Sequence, residues 1–275
     1  MKKVCIIIRV YNRIQDLEYN LEIIRRTWSS NEYYIIVTCN GESDGFVLTD
    51  KIYSLSDKIV KCSGNNGHLK GNSKLLLQAL PFIPSDCYYT LLLEADTWVY
   101  KDALISKYIH MLEIKKAVWA SAKWYDRFYS LATDFAIVNS EFLIKNEKIL
   151  DFGIYPETYV ASYLFKNGES WIYIKENMPV QIAGYISSFP YAPYGRFYVF
   201  PFSNMVTHHI EHLSGGMEQK IKNFNALSNN LFDNYRISSP KLIKLWMKII
   251  VVISLLIPRR SWFGIVEYRD ENRSY

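Results

Sequence analysis

Four apolar runs separated by stretches of helical periodicity constrain this chain more than any other feature: residues 4–10, 33–38, 59–60 and 88–93. A run that is apolar at almost every position suits a strand buried on both faces, and such strands need helices packed on each side. Leu17, Leu21, Ile24 and Trp28 recur at helical spacing after the first run, Leu75, Leu76, Ala79 and Leu80 after the third, and Leu104, Ile105, Tyr108, Ile109 and Leu112 after the fourth. This alternation predicts βαβ units around a mostly parallel sheet, with Pro81 and Pro84 ending the helix that precedes residue 88. Beyond residue 117 the pattern is mixed, with strands expected at 117–122, 135–138 and 171–174 and a helix at 157–165. Ligands of open sheets bind beyond the carboxyl ends of the strands. Residues 9–13, 40–44, 66–70 and 94–96 fall at such ends.

Glu94-Ala95-Asp96 closes the fourth run with two carboxylates two residues apart. That spacing suits a hard divalent cation, Mn²⁺ or Mg²⁺, which takes oxygen ligands and often shares them with phosphates. It equally suits solvated residues at the end of a strand. The loop at 63–68 contains Gly64 and Gly67, which permit close backbone approach to a ligand or simply a tight turn. Residues 185–202 combine prolines and glycines with eight Tyr or Phe, and such a loop either stacks on sugar rings or caps the core.

Cys5, Cys39, Cys62 and Cys87 are widely spaced with no CxxC pair, so they are expected to be reduced, buried thiols of a cytoplasmic protein. Met1-Lys2-Lys3 and the apolar residues after it resemble a secretory signal only until Arg9 interrupts them, so a first strand is expected instead. Residues 235–275 hold eight Lys or Arg against three acids and account for the whole net charge of +5. So local a charge argues against nucleic acid wrapped around the protein. Met217, Ile221, Phe224 and Leu231 predict one helix, and Ser238-Ser239-Pro240 opens another. In that last helix Lys241, Lys244 and Lys248, with Arg259, fall on one stripe of an otherwise apolar surface. The uncharged run 249–258 is far short of the ~20 residues that cross a bilayer. Together with Trp246, Trp262, Phe263 and Arg260 it points to a helix lying on a membrane surface over 240–263, or else one docked on the domain or on a second copy in a homodimer.

The ordered motifs resemble the GT-A glycosyltransferases, in particular the family-two-like enzymes of bacterial surface polysaccharide synthesis. The resemblance covers residues 1–115, with weaker echoes to residue 212. Residues 4–13 are similar to that family's first strand and its Val-Tyr-Asn turn, which implies that Val10, Tyr11, Asn12 and Arg13 hold the nucleotide base. Residues 35–45 are similar to the second strand and acidic loop, although Cys39 and Asn40 stand where the family usually has Asp. The resemblance implies donor contacts from Asn40, Asn66, Gly67, Lys70 and Glu94, with Lys70 replacing the usual arginine. It identifies Glu94-Ala95-Asp96 with the DxD element, which implies that Asp96 and Glu94 hold the metal and that a late histidine completes the site. Residues 207–212 contain His208, His209 and His212, and His209 is taken as that ligand to the metal or the diphosphate, with an ordinary surface cluster and a zinc site as the alternatives. Pro156-Glu157-Thr158 fits the helix start where the family carries its catalytic carboxylate, so Glu157 is the candidate base or merely stabilises the helix. Asp134 and Asp151 are competitors.

The expectation is therefore an α/β, GT-A (Rossmann-like) mostly parallel sheet flanked by helices, with a C-terminal amphipathic helical tail. Residues 1–234 would form the domain, 1–115 as its nucleotide-binding half and 116–234 as its acceptor half, followed by a basic tail at 235–275. The implied activity is metal-dependent, inverting transfer of a sugar from a nucleotide-diphosphate donor to a lipid-linked saccharide. It would act on the inner face of the cell membrane. Sugar-nucleotide synthesis fits less well, because the first strand lacks a glycine-rich loop. A non-catalytic carbohydrate-binding or scaffold protein on the same fold is the alternative.

Overall fold

The computed structural model describes residues 2–41, 47–64, 68–124, 129–153, 155–177, 189–191, 199–207 and 215–256. The chain divides into two compact units. One comprises Met1–Ala95, Lys101–Lys123 and Tyr129–Ile174; the other comprises Asp96–Tyr100, Trp124–Phe128 and Lys175–Tyr275.

The first unit is built on strands β1 (Lys3–Val10), β2 (Glu32–Cys39), β3 (Lys58–Lys61), β4 (Tyr89–Glu94), β6 (Trp119–Ser121), β7 (Phe135–Asn139) and β8 (Trp171–Tyr173). Among the described residues they form one sheet in the order β3-β2-β1-β4-β7-β6-β8. All are parallel except β7, which runs against both of its neighbours. The expected α/β class and mostly parallel sheet are thus present, and each expected strand lies within two residues of its predicted bounds. Helices α1 (Ile14–Thr27), α2 (Asp50–Leu55), α3 (His68–Ala79), α4 (Ala103–Lys115), α5 (Ser140–Lys145) and α6 (Pro156–Lys166) complete this unit.

Two of these helices, α2 and α5, have only six residues, too few to show a periodicity. Each is started by a side-chain cap: Thr49 accepts from Ile52 N, and Asn139 accepts from Phe142 N. Helix α3 begins at His68, seven residues before the periodic leucines, so the expected loop around Lys70 is helical from His68 onward. On one face of the sheet Ile36, Ile7, Leu92 and Ala136 join a core shared with Leu76 of α3, Leu143 of α5 and Leu164 of α6.

In the second unit β5 (Trp98–Val99), β9 (Val199–Phe200) and β10 (Met205–Val206) form a small antiparallel sheet in the order β5-β10-β9. Helices α7 (Gly216–Ser228) and α8 (Pro240–Leu255) pack on one another. Leu231, expected within the first of these, lies beyond it: Asn229 takes a left-handed φ of 60° and closes α7. The chain after it is held by Asn225, which donates to the carbonyls of Phe232, Asn234 and Tyr235 and accepts from Phe232 N. Two hydrogen bonds join Asn230 to the backbone of Ile237.

Candidate functional site

Parallel pairing sets Arg9 opposite Thr38 on one side and Glu94 on the other. Antiparallel pairing carries the row on, since Glu94 N donates to Asp134 O at 2.9 Å. Directly paired residues point to the same face of a sheet. Thr38, Arg9, Glu94 and Asp134 therefore form a polar row two residues further along their strands than the apolar row Ile36, Ile7, Leu92 and Ala136. The change from apolar to polar marks the carboxyl ends of β2, β1 and β4.

Arg9 is only 2% exposed, and its Nη2 is ion-paired with the Glu94 carboxylate, itself 19% exposed. Nε and Nη1 of Arg9 are buried without a hydrogen-bond partner among the described residues. Thr38 Oγ1 donates to Leu75 O at 2.8 Å, which ties the row to α3. Asn20 on α1 donates to the carbonyls of Glu94 and Ala95 at 3.3 and 3.0 Å, and Ala95 N donates to Arg9 O. The chain leaving β4 is thereby fixed from two sides.

Asp134 is buried at the start of β7. The backbone before it is laced in place, with Leu131 N donating to Glu157 O at 3.0 Å and Ala132 N to Ala122 O at 2.9 Å. Glu157 is half-buried in the first turn of α6, behind Pro156. Three residues of extended chain reach at most about 10 Å, so Glu157 and Asp134 belong to one end of this unit. Asp151, the other competitor, is exposed at the end of a short 3₁₀ turn.

Of the expected donor contacts, Val10 is buried, Tyr11 and Arg13 are half-buried and Asn12 is exposed in the turn between β1 and α1. Asn40 Nδ2 donates to Tyr11 O at 3.5 Å, while its buried Oδ1 has no partner among the described residues. Gly41 beside it is required for space: a Cβ there would stand 2.6 Å from Cys62 O. Lys70 is exposed in the first turn of α3. Asn66, Gly67, His208, His209 and His212 lie outside the described residues.

Asp96 belongs to the second unit, where it is buried and its carbonyl accepts from Lys220 Nζ at 2.6 Å. Lys220 is itself fully buried, 4.3 Å from the centre of the Trp98 ring. Among the described residues no three of His, Cys, Asp and Glu are grouped so as to hold a metal. The carboxylate oxygens of the Glu94-Ala95-Asp96 triplet are the donor type a hard cation takes.

Arg9 was expected only as part of the strand-end segment 9–13, and Asn20 and Lys220 were not expected to matter, yet the sequence carries a signal for each. Arg9 interrupts an apolar run with a cation. Asn20 sits on the stripe Leu17, Leu21 and Ile24, and Lys220 on the stripe Met217, Ile221 and Phe224, both at helical spacing. A polar group at a stripe position is buried, and a buried polar group needs a partner.

Neither a protein-family model nor a curated protein matches the sequence. Among solved structures, the mannosyltransferase PcManGT from Pyrobaculum calidifontis, in complex with GDP-Man and Mn²⁺, is 11% identical over 97% of this chain and 79% of its own, with a TM-score of 0.47. TarS of S. aureus is 14% identical over 64% of this chain and 36% of its own, with a TM-score of 0.46, so the chain spans little more than a third of that protein. A 4-diphosphocytidyl-2C-methyl-D-erythritol synthase from Anaerococcus prevotii is 12% identical over 63% of this chain and 86% of its own, with a TM-score of 0.44. At identities this low nothing about activity transfers.

Proposed function

We propose that this chain is a glycosyltransferase that moves a sugar from a nucleotide-diphosphate donor to a hydroxyl of a lipid-linked saccharide, with inversion, in bacterial surface polysaccharide synthesis on the inner face of the cell membrane. The observation that carries this reading is the polar row Arg9, Glu94 and Asp134 across the strand ends, with Glu157 anchored to the segment that leads into Asp134. Strand ends of this kind are where open sheets bind nucleotides. Val10–Arg13, Asn40 and Glu94, which belong to segments resembling the donor-binding motifs of GT-A enzymes, stand at the ends of β1, β2 and β4.

Asp96, with Glu94 and His209, would hold a Mn²⁺ or Mg²⁺ ion, which when bound neutralises charge on the diphosphate leaving group. The remaining roles belong to the chain. The turn at Val10–Arg13, with Asn40, holds the base and ribose; Lys70 is a mobile point charge for a phosphate. Arg9 keeps the Glu94 carboxylate in one orientation while Asn20 fixes the backbone that leads to Asp96. Glu157 accepts the proton of the acceptor hydroxyl as its oxygen bonds to the anomeric carbon and the bond from that carbon to the diphosphate breaks. The proton ends on the carboxylate and the electron pair on the nucleoside diphosphate.

The test is a melting-temperature screen of UDP, GDP, CDP and dTDP with and without Mn²⁺, followed by donor hydrolysis with the nucleotide that binds. One nucleotide should raise the melting temperature only when Mn²⁺ is present, because a ligand that binds the folded state stabilises it. Asp96→Asn should abolish both that shift and turnover while remaining folded by circular dichroism. Normal turnover in Asp96→Asn contradicts the assignment.

A further inference from the structure

The two long sides of α8 meet opposite surroundings. On one, Met247, Ile250, Val251 and Ser254 are buried within the second unit. Two of the helix's cations are turned to that unit as well: Lys244 donates to Asn204 Oδ1 and to Leu227 O, and Lys248 lies 5.3 Å from the centre of the Phe202 ring. The other side presents Leu242, Leu245, Ile249, Val252, Ile253 and Leu256, each between 42% and 81% exposed. They recur every three or four residues and form one unbroken row. Trp246 borders it, packed on Phe189 with ring centres 5.9 Å apart and donating Nε1 to Pro190 O. Where the row begins, an apolar recess of about 470 Å³ opens between Phe189, Pro190, Tyr191, Leu242, Ile243 and Trp246.

A surface helix ordinarily turns its charges outward and its apolar stripe inward. Here the apolar row faces out while two lysines are engaged with the protein, so the row needs a covering that is apolar over the length of a helix. The sequence says what kind. Between Asp233 and Glu267 there is no acidic residue, and six cations stand there: Arg236, Lys241, Lys244, Lys248, Arg259 and Arg260. A second copy docking on the same face would set like charges against one another, whereas an anionic surface opposes none of them. At 16 residues α8 is about 24 Å long, and no helix among the described residues is long and apolar enough to cross a membrane.

We infer that the outward face of α8 is a bilayer-docking surface. The helix lies in the plane of an anionic lipid leaflet, with its apolar row in the acyl boundary and Trp246 at the headgroup level. Because Lys244 and Lys248 are engaged with the protein, apolar insertion contributes most of the affinity and the remaining cations supply the part that salt removes. This docking stands independently of the transfer chemistry proposed above.

Flotation of the full chain with phosphatidylcholine vesicles and with equimolar phosphatidylcholine–phosphatidylglycerol vesicles tests it, at low and at high salt. The protein should float with the anionic vesicles and keep a bound fraction at high salt. Ile249→Glu and Val252→Glu should each lower binding about tenfold or more, with unchanged circular dichroism and melting, since both side chains already face solvent. Failure of the full chain to float at low salt overturns the inference, as does flotation of both variants like the parent. So does a dimer, seen by sedimentation, that Ile249→Glu converts to monomer.

Discussion

The two units of this chain are ordered by different means. In the first, β1 pairs with β2 over eight residues and with β4 over six, so side chains are placed by backbone register. Thr38, Arg9, Glu94 and Asp134 fall in one row because the strands are aligned, and the apolar row two residues back is set the same way. In the second unit, among the described residues, the strands are two residues long and register fixes little. Order comes instead from rings and from polar side chains that reach the backbone. Trp98 lies edge-on to Phe224 at 5.7 Å, Lys220 caps the Asp96 carbonyl, and Asn225 gathers the turn after α7. A ladder spreads its stability over many bonds, whereas a side-chain clasp concentrates it in one residue.

If that contrast holds, the largest loss in the first unit should come from its charges and not from its ladder. Arg9→Met would leave the Glu94 carboxylate in a mostly dehydrated place without its cation and should cost about 3 kcal/mol, the lower end for a broken buried pair. Adding Glu94→Gln should recover most of that loss; a double variant as unstable as the single one would show that Arg9 acts by packing alone. Chemical denaturation of the four proteins reads this directly.

The second unit should be more sensitive to a single neutral side chain. Asn225→Ala leaves Phe232 N and up to three carbonyls without their partner and should cost about 2 kcal/mol, seen in the melting temperature. A loss below a few tenths of a kcal/mol would mean that the turn is held by Phe232 and Ile237 packing and not by the amide.

A smaller and pH-dependent effect is expected at Asp102, which belongs to the first unit but acts as a clasp. Burial favours its neutral form, but Tyr33 Oη at 2.6 Å, Ser30 Oγ at 2.8 Å and Ser30 N at 2.6 Å outweigh burial and hold the carboxyl below its ordinary value of 3.8. A carboxyl lowered by folding stabilises the protein above its unfolded value and loses that contribution as pH falls through the folded one. Asp102→Asn should therefore cost about 1–2 kcal/mol at pH 7 and progressively less below pH 4. Equal cost at pH 7 and pH 3 would remove Asp102 as a source of acid sensitivity.

What the sequence made legible follows the same division. Runs such as residues 4–10 and 88–93 reveal strands because burial on both faces forces almost every residue to be apolar, and the helices between them show through their stripes. The carboxyl ends of those strands then locate Glu94 and Asp96 without any structure. Residues 50–55 and 140–145 do not announce helices, because six residues carry no period and a capping Thr49 or Asn139 decides them. The strands of the second unit are hidden for a related reason: two residues show no alternation, and their partners at 199–200 and 205–206 are a hundred residues from Trp98. The turn of Lys244 and Lys248 toward the protein is likewise invisible to a helical wheel, which separates stripes but does not say which stripe the domain covers.

The proposed transfer site joins the strand-end row to Glu157, whose backbone carbonyl is bonded to the segment leading into Asp134. It is tested most directly by the single-turnover rate and donor affinity of Glu157→Gln, measured with the nucleotide sugar that the melting screen selects. A general base acts on the acceptor proton in the transition state and contributes little to donor binding. Turnover should fall about 10²–10⁴-fold, with the donor dissociation constant within about twofold of the parent. Parental turnover in Glu157→Gln, or a loss of donor affinity that accounts for the whole fall in rate, would contradict the account.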